Sequence, residues 1–221
     1  GKFEEAIEAY NKAIVLNPDN ADAQNNMGIA FKERGRLEEA LEAYKKALKT
    51  QPDYAAAYCN MGVAFAEDGK LEEAVEAYKK ALIIKPDDAE VYYNMGAAFA
   101  QQGKLEEAVE SGKKSLSLKP NYADAYNNLG NVFAAQGKLG DAIEAYNKAL
   151  VIKSDYADAH NGLGFALLNS GELKRGLDEY EWRWKSTKFM STKRHFLQPL
   201  WDGQTSLKDK RILLWCEQGV G

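Results

Sequence analysis

The sequence predicts an all-α solenoid of antiparallel helix pairs, and three observations carry that class. Glycines fall in two series at one spacing: Gly28, Gly62, Gly96, Gly130 and Gly164, and Gly35, Gly69, Gly103, Gly137 and Gly171. Ala40, Ala74, Ala108 and Ala142 repeat in the same register, as do Pro18, Pro52, Pro86 and Pro120. Between these marks the apolar residues recur at helical spacing. The step from Gly28 to Gly62 is 62 − 28, the ~34-residue period of a helix–turn–helix repeat.

One unit, residues 55–88, shows why each element forms. Tyr58, Met61, Ala64 and Phe65 lie on one face of a first helix, A, running to about Asp68. Gly69 ends it in the position that favours a left-handed residue. Leu71, Ala74, Val75, Tyr78, Ala81 and Leu82 mark one face of a second helix, B. Pro86 stops that helix, and Asp87 can cap the next. Glu72 and Glu73 open helix B and Lys79 and Lys80 close it, the order that suits the helix dipole. Glu76–Lys80 is a favourable i,i+4 pair, repeated as Glu42–Lys46, Glu110–Lys114 and Glu144–Lys148. Gly62 and Ala74 let A and B approach, Ala81 receives the next A helix, and the aromatic residues fill the space between. No unit can bury its apolar face alone, so the units must stack.

Small, aromatic and proline positions matching in phase over roughly five sixths of the chain resemble the tetratricopeptide repeat family. The resemblance implies a right-handed superhelix whose A helices line a concave groove. On this reading residues 1–186 are the solenoid. It has a half repeat over 1–20, full repeats from Ala21, Ala55, Ala89 and Ala123, and a terminal repeat over 157–186. The chain opens on a B helix without its A partner, so it reads as a fragment or a processed chain.

Two units depart from the pattern. In the third, Gly112 stands where Tyr44, Tyr78 and Tyr146 stand, and Ser115 replaces an alanine. The alternatives are a soft spot absorbed by its neighbours, a hinge, or a pocket. In the terminal unit Gly176 replaces alanine, Arg183 takes a small position and Lys188 stands in the proline series. Trp182 and Trp184 there are expected to cover the end of the solenoid or dock it onto a following domain.

Composition narrows the function. With a formal net charge of −4, the chain has no basic surplus with which to grip nucleic acid. No apolar run is long enough for a membrane span. Cys59 and Cys216 do not form a disulfide framework, so a reducing cytoplasm is the expected location. His160 and His195 are the only histidines, and no metal or nucleophile constellation accompanies them, so no cofactor is expected. His160 takes the position of Tyr58, Tyr92 and Tyr126, which favours packing.

The candidate site is the A-helix face. Asn26, Asn60, Asn94 and Asn128 occupy one position in successive units; the fifth unit has Gly162 there, with Asn161 beside it. An amide offers both donor and acceptor, which suits the backbone of an extended peptide. The array resembles the asparagine ladder in the repeat arm of O-GlcNAc transferases. Asn25, Tyr93, Asn127 and Asn131 shape the groove beside it, along with Cys59. Asparagine serving only packing is the plain alternative. Basic residues are scarce, so a clamp for C-terminal carboxylates is not expected. Asp22, Glu67, Asp68, Glu90, Asp124 and Asp158 favour a neutral or basic partner, unless they are simply a solvated face.

After Ser186 the period stops. Residues 211–216, RILLWC, read as one buried β-strand, followed by a glycine-bearing turn with Gly219 and Gly221 as an incomplete phosphate site. Taken with YEWRW and FLQPLWDG, this tail resembles bacterial repeat proteins that continue into a glycosyltransferase-like domain of the heptosyltransferase and O-GlcNAc transferase type. Residues 187–221 are then a linker and the truncated start of that domain. The expected function is a peptide- or protein-binding arm, with no enzyme activity in this chain. The alternatives are a self-assembling scaffold and part of a sugar-nucleotide-dependent glycosyltransferase at full length. A weak dimer through the half repeat or the strand is a further expectation.

Overall fold

The structure is a computed structural model and describes residues 2–185. It is all-α, as expected from the period. The half unit is α1 (Lys2–Leu16). The A helices are α2 (Ala21–Glu33), α4 (Ala55–Glu67), α6 (Ala89–Gln101), α8 (Ala123–Ala135) and α10 (Ala157–Ser170). Their B partners are α3 (Leu37–Thr50), α5 (Leu71–Ile84), α7 (Leu105–Leu118), α9 (Leu139–Ile152) and α11 (Leu173–Tyr180). A 3-10 turn, Glu181–Lys185, follows. The expected strand at 211–216 lies outside the described residues.

The two glycine series do different work. Gly35, Gly69, Gly103, Gly137 and Gly171 have φ between +71° and +90°, and a side chain there would meet nothing, so these glycines serve conformation. The other series serves space. A Cβ on Gly28, Gly62 or Gly130 would lie 2.5–2.6 Å from the ring of Tyr44, Tyr78 or Tyr146. Each ring lies flat in the notch its glycine leaves, and all three tyrosines are at most 2% exposed. The notch thus admits a ring rather than a bare helix-to-helix approach. The terminal pair differs: there a Cβ on Gly164 would meet the backbone nitrogen of Tyr180 at 2.9 Å, so two backbones do approach closely.

Two local expectations need correction. Asp88, not Asp87, caps α6: its carboxylate accepts from the backbone N–H of Glu90 at 3.1 Å and Val91 at 3.3 Å. Among the i,i+4 pairs, Glu144–Lys148 closes at 2.6 Å, whereas Glu42 and Glu76 take Lys45 at 2.9 Å and Lys79 at 2.7 Å. Lys80 lies over the Tyr58 ring instead, 5.7 Å from its centroid.

The curvature follows from which helices touch. Each A helix packs against the next A helix as well as its own B helix, while no two B helices come within 8 Å of each other by Cα among the described residues. A row that touches on one side and splays on the other is concave on the touching side. The inner wall is therefore α2, α4, α6, α8 and α10.

The third unit closes without its tyrosine. Leu129 of α8 covers Gly112, lying 2.9 Å by its Cγ from where a Cβ would stand. Ser115 is fully buried, and its Oγ donates to the carbonyl of Ala89 at 2.7 Å, so the hydroxyl is satisfied. The loss is met by a neighbouring side chain, which is the soft-spot reading of that departure.

The terminal unit is held by polar and aromatic contacts together. His160 Nε2 is 2.9 Å from the Ser154 carbonyl and Nδ1 is 2.5 Å from the Glu179 carboxylate. The Trp182 ring stacks on the imidazole, 3.9 Å between centroids and 10° between planes. Arg183 is buried, donates to the Tyr180 carbonyl at 3.0 Å, and lies over the Tyr180 ring. His160 thus packs, as its place in the tyrosine series implies, and ties α10 to α11.

One substitution should act with opposite signs at two glycines. Gly62→Ala forces a methyl into the Tyr78 ring and should lower stability by about 1–3 kcal/mol. Gly140→Ala, on the exposed start of α9 with nothing near its Cβ, should raise it by about 0.5 kcal/mol. Denaturant unfolding reads both, and equal shifts would contradict the ring-in-notch account. His160→Ala should cost about 2 kcal/mol, confined to the last unit. Hydrogen exchange would show it as early loss of protection in α11, with α2 to α9 unchanged.

Candidate functional site

The inner wall carries the residues singled out by sequence. Asn26, Asn60, Asn94 and Asn128 are half-buried and stand at equivalent positions on α2, α4, α6 and α8. Asn25 and Asn127 are 3% and 6% exposed, so they form the floor rather than the rim. Asn131 is exposed, and Tyr93 and Asn161 are half-buried. Gly219 and Gly221 lie outside the described residues.

The amides first serve the wall itself. Asn60 donates through Nδ2 to Asn25 Oδ1 at 3.0 Å, joining α4 to α2. One unit on, the Asn94 amide lies by the Cys59 thiol and favours its ionised form. Burial nevertheless dominates at Cys59 and pushes its thiol up to about 11. At the last step the ladder asparagine is replaced by Gly162, and Asn127 Oδ1 is buried with no partner. Asn161 Oδ1 is likewise buried and unpartnered.

Tyrosines immediately before the A helices clip one edge of the wall. Tyr54 donates to Asp22 at 2.7 Å, and in the corresponding place burial and then the Asp124 carboxylate raise the Tyr156 hydroxyl. Burial, then the Asp22 bond, pushes the Tyr54 hydroxyl up to about 12. Tyr93 of α6 packs against Tyr122, 5.1 Å between centroids. Of the acidic residues expected to shape the groove, Asp22 therefore holds a tyrosine hydroxyl. Glu67 lies 3.4 Å from Lys32, which also pairs with Glu33 at 2.8 Å. Partial burial pulls the Lys32 ammonium down, but these two carboxylates hold it above its ordinary value. The clip was legible in outline, since Tyr54 follows Asp22, and Tyr156 follows Asp124, by about one unit; that hydroxyl meets carboxylate is visible only in the folded chain.

Two hollows stand out among the described residues. One, of about 350 Å³, opens on the inner wall between α8 and α10 and is floored by Tyr146. Its walls include Asn127, Asn131, Asp158, Asn161, Gly162 and Phe165. Tyr146 donates to Asn131 Oδ1 at 2.8 Å, and burial pushes its hydroxyl up to about 12. Tyr44, whose unit has Ile29 at the corresponding place, leaves its buried hydroxyl without a partner. The other hollow, of about 440 Å³, lies in the crease between α7 and α9 over α8, away from the ladder. Among the described residues no group of three or more His, Cys, Asp or Glu is placed to hold a metal ion. No described helix is long and apolar enough to cross a membrane.

A family model for the TPR repeat matches residues 1–33, 30–69, 64–103, 98–137 and 130–171. No curated protein matches the chain. Among solved structures it is similar to MamA, with 29% identity, 71% of this chain and 91% of that one covered, and a TM-score of 0.65. It is similar to PilF of Pseudomonas aeruginosa, with 26% identity, 82% and 77% covered, and a TM-score of 0.66. It shares a fold with YrrB, described as a TPR protein with an unusual peptide-binding site, at 23% identity, 80% and 91% covered, and a TM-score of 0.64. Matched repeats running in register from 1 to 171, stacked as helix pairs around a concave A-helix wall, place the chain in the tetratricopeptide repeat family, to which it belongs.

Proposed function

We propose that this chain is a protein-interaction module that holds an extended peptide segment along its A-helix wall and catalyses nothing itself. The observation that carries this is the row of half-buried amides, Asn60, Asn94 and Asn128, on successive inner helices. Asn60 spends one N–H on Asn25 and keeps an oxygen and a second N–H, and an extended backbone alternates the same two groups. Packed helices lie about 8–10 Å apart and a strand rises about 3.3 Å per residue, so each rung would meet about every third residue of the guest. The description of YrrB as peptide-binding belongs to that protein; the likeness here is of fold. A neutral or basic guest suits the acidic A helices, and a cytoplasmic location is part of the same proposal. We also propose, on the tail's sequence alone, that residues 187–221 open a glycosyltransferase-like domain. Sequencing of the intact gene product tests that directly.

Replacing Asn60, Asn94 and Asn128 together with Ala should leave helical content intact. It should weaken binding of a twelve-residue peptide selected on this chain from a random library by about tenfold or more, at ~0.5–1.5 kcal/mol per lost bond. Asn60→Ala alone should also cost about 1 kcal/mol of stability, because Asn25 Oδ1 loses its donor. Calorimetry showing unchanged affinity would remove the ladder from recognition. Concentration-dependent assembly with no peptide selected would instead favour a scaffold.

A further inference from the structure

The ladder breaks at one rung, and the break leaves two amide oxygens unpaired. In the first step Asn60 serves Asn25; in the last step Gly162 has no side chain with which to serve Asn127. The gap is enforced by packing, since a Cβ on Gly162 would lie 2.6 Å from two carbons of the Tyr146 ring. That ring is pinned in turn by its hydrogen bond to Asn131. The result is the inner-wall hollow, with Asn127, 6% exposed, and Asn161 each contributing an amide oxygen that has no donor.

The lining selects the guest. Both unpartnered atoms are acceptors, so the missing group is a donor. Asp158 adds a carboxylate to the wall, and no Lys, Arg or His lines it. Half-exposed Phe165 supplies an aromatic face, and the buried Tyr146 closes the bottom. Several acceptors at different directions, one negative charge and one open ring match a guanidinium, which carries five N–H donors in one plane and stacks on aromatic faces. The terminal torsion of asparagine is broad, so both oxygens can swing toward an incoming donor. We propose that the hollow between α8 and α10 is a subsite for an arginine side chain of the bound peptide. The subsite rests on the peptide-groove reading and deepens it by naming a residue the guest must carry.

The probe is the acetylated, amidated peptide Gly-Ser-Gly-Arg-Gly-Ser-Gly, titrated into the 1–221 chain labelled with nitrogen-15. Three companions carry lysine, citrulline or glutamate at the central place. Citrulline keeps the shape of arginine and removes its charge. The arginine peptide should shift the side-chain amide signals of Asn127 and Asn161, with lysine weaker, citrulline at least tenfold weaker and glutamate silent. Asn161→Leu, which keeps size and removes the acceptor, should weaken the arginine peptide at least fivefold. Ile83→Ala, on the exposed face of α5, should leave it unchanged. Circular dichroism on each variant checks folding. Equal binding of arginine and glutamate peptides, or an unaffected Asn161→Leu, overturns the subsite. Shifts confined to α2, α4 and α6 would overturn it while leaving the groove reading intact; no shift on any A helix with any peptide would count against both.

Discussion

The contact on which the architecture depends is a tyrosine ring lying in the notch of a missing side chain. Gly28, Gly62 and Gly130 each leave a gap on an A helix that the ring of Tyr44, Tyr78 or Tyr146 fills from the paired B helix. A ring buried this way excludes water over a large area and sets the spacing of the pair. The contact recurs in three of the five helix pairs, and along the row the A helices come into mutual contact while the B helices stay apart. Where the ring is absent, at Gly112, a leucine from the next A helix takes its place.

That same ring shapes the inner wall. Tyr146 reaches far enough to exclude a side chain at Gly162 and to bond Asn131, so core packing decides where the amide row is interrupted. The wall is not a uniform strip of polar groups. Its first step is internally paired, Asn60 to Asn25, while its last step carries buried acceptors without donors. Leaving such an acceptor unpaired costs about 1–3 kcal/mol, a cost a guest with the right donor can relieve.

The terminal unit shows how an array can close without the repeat's usual means. Gly164 and Gly176 let α10 and α11 approach backbone to backbone, and the imidazole of His160 joins the Ser154 carbonyl, the Glu179 carboxylate and the Trp182 ring. These are directional contacts, so they fix the last helix in orientation as well as in place.

The sequence by itself determined the helix pairs, their order and the face each turns inward, because a strict period with glycine, alanine and proline in phase admits one way of burying every apolar stripe. It also placed the asparagines on one position of successive A helices, since helical spacing is a local property. Which atoms those amides meet was decided only by the tertiary structure. Asn60 and Asn25 are 35 residues apart, and their pairing depends on how one A helix is offset against the next. The tyrosine clip to Asp22 depends on the same offset. The hollow at Gly162 could not be read from a glycine alone, because a glycine in a helix marks a missing side chain and not what fills the space: at Gly62 a ring closes the gap, and at Gly162 the same kind of ring leaves Asn127 without its donor.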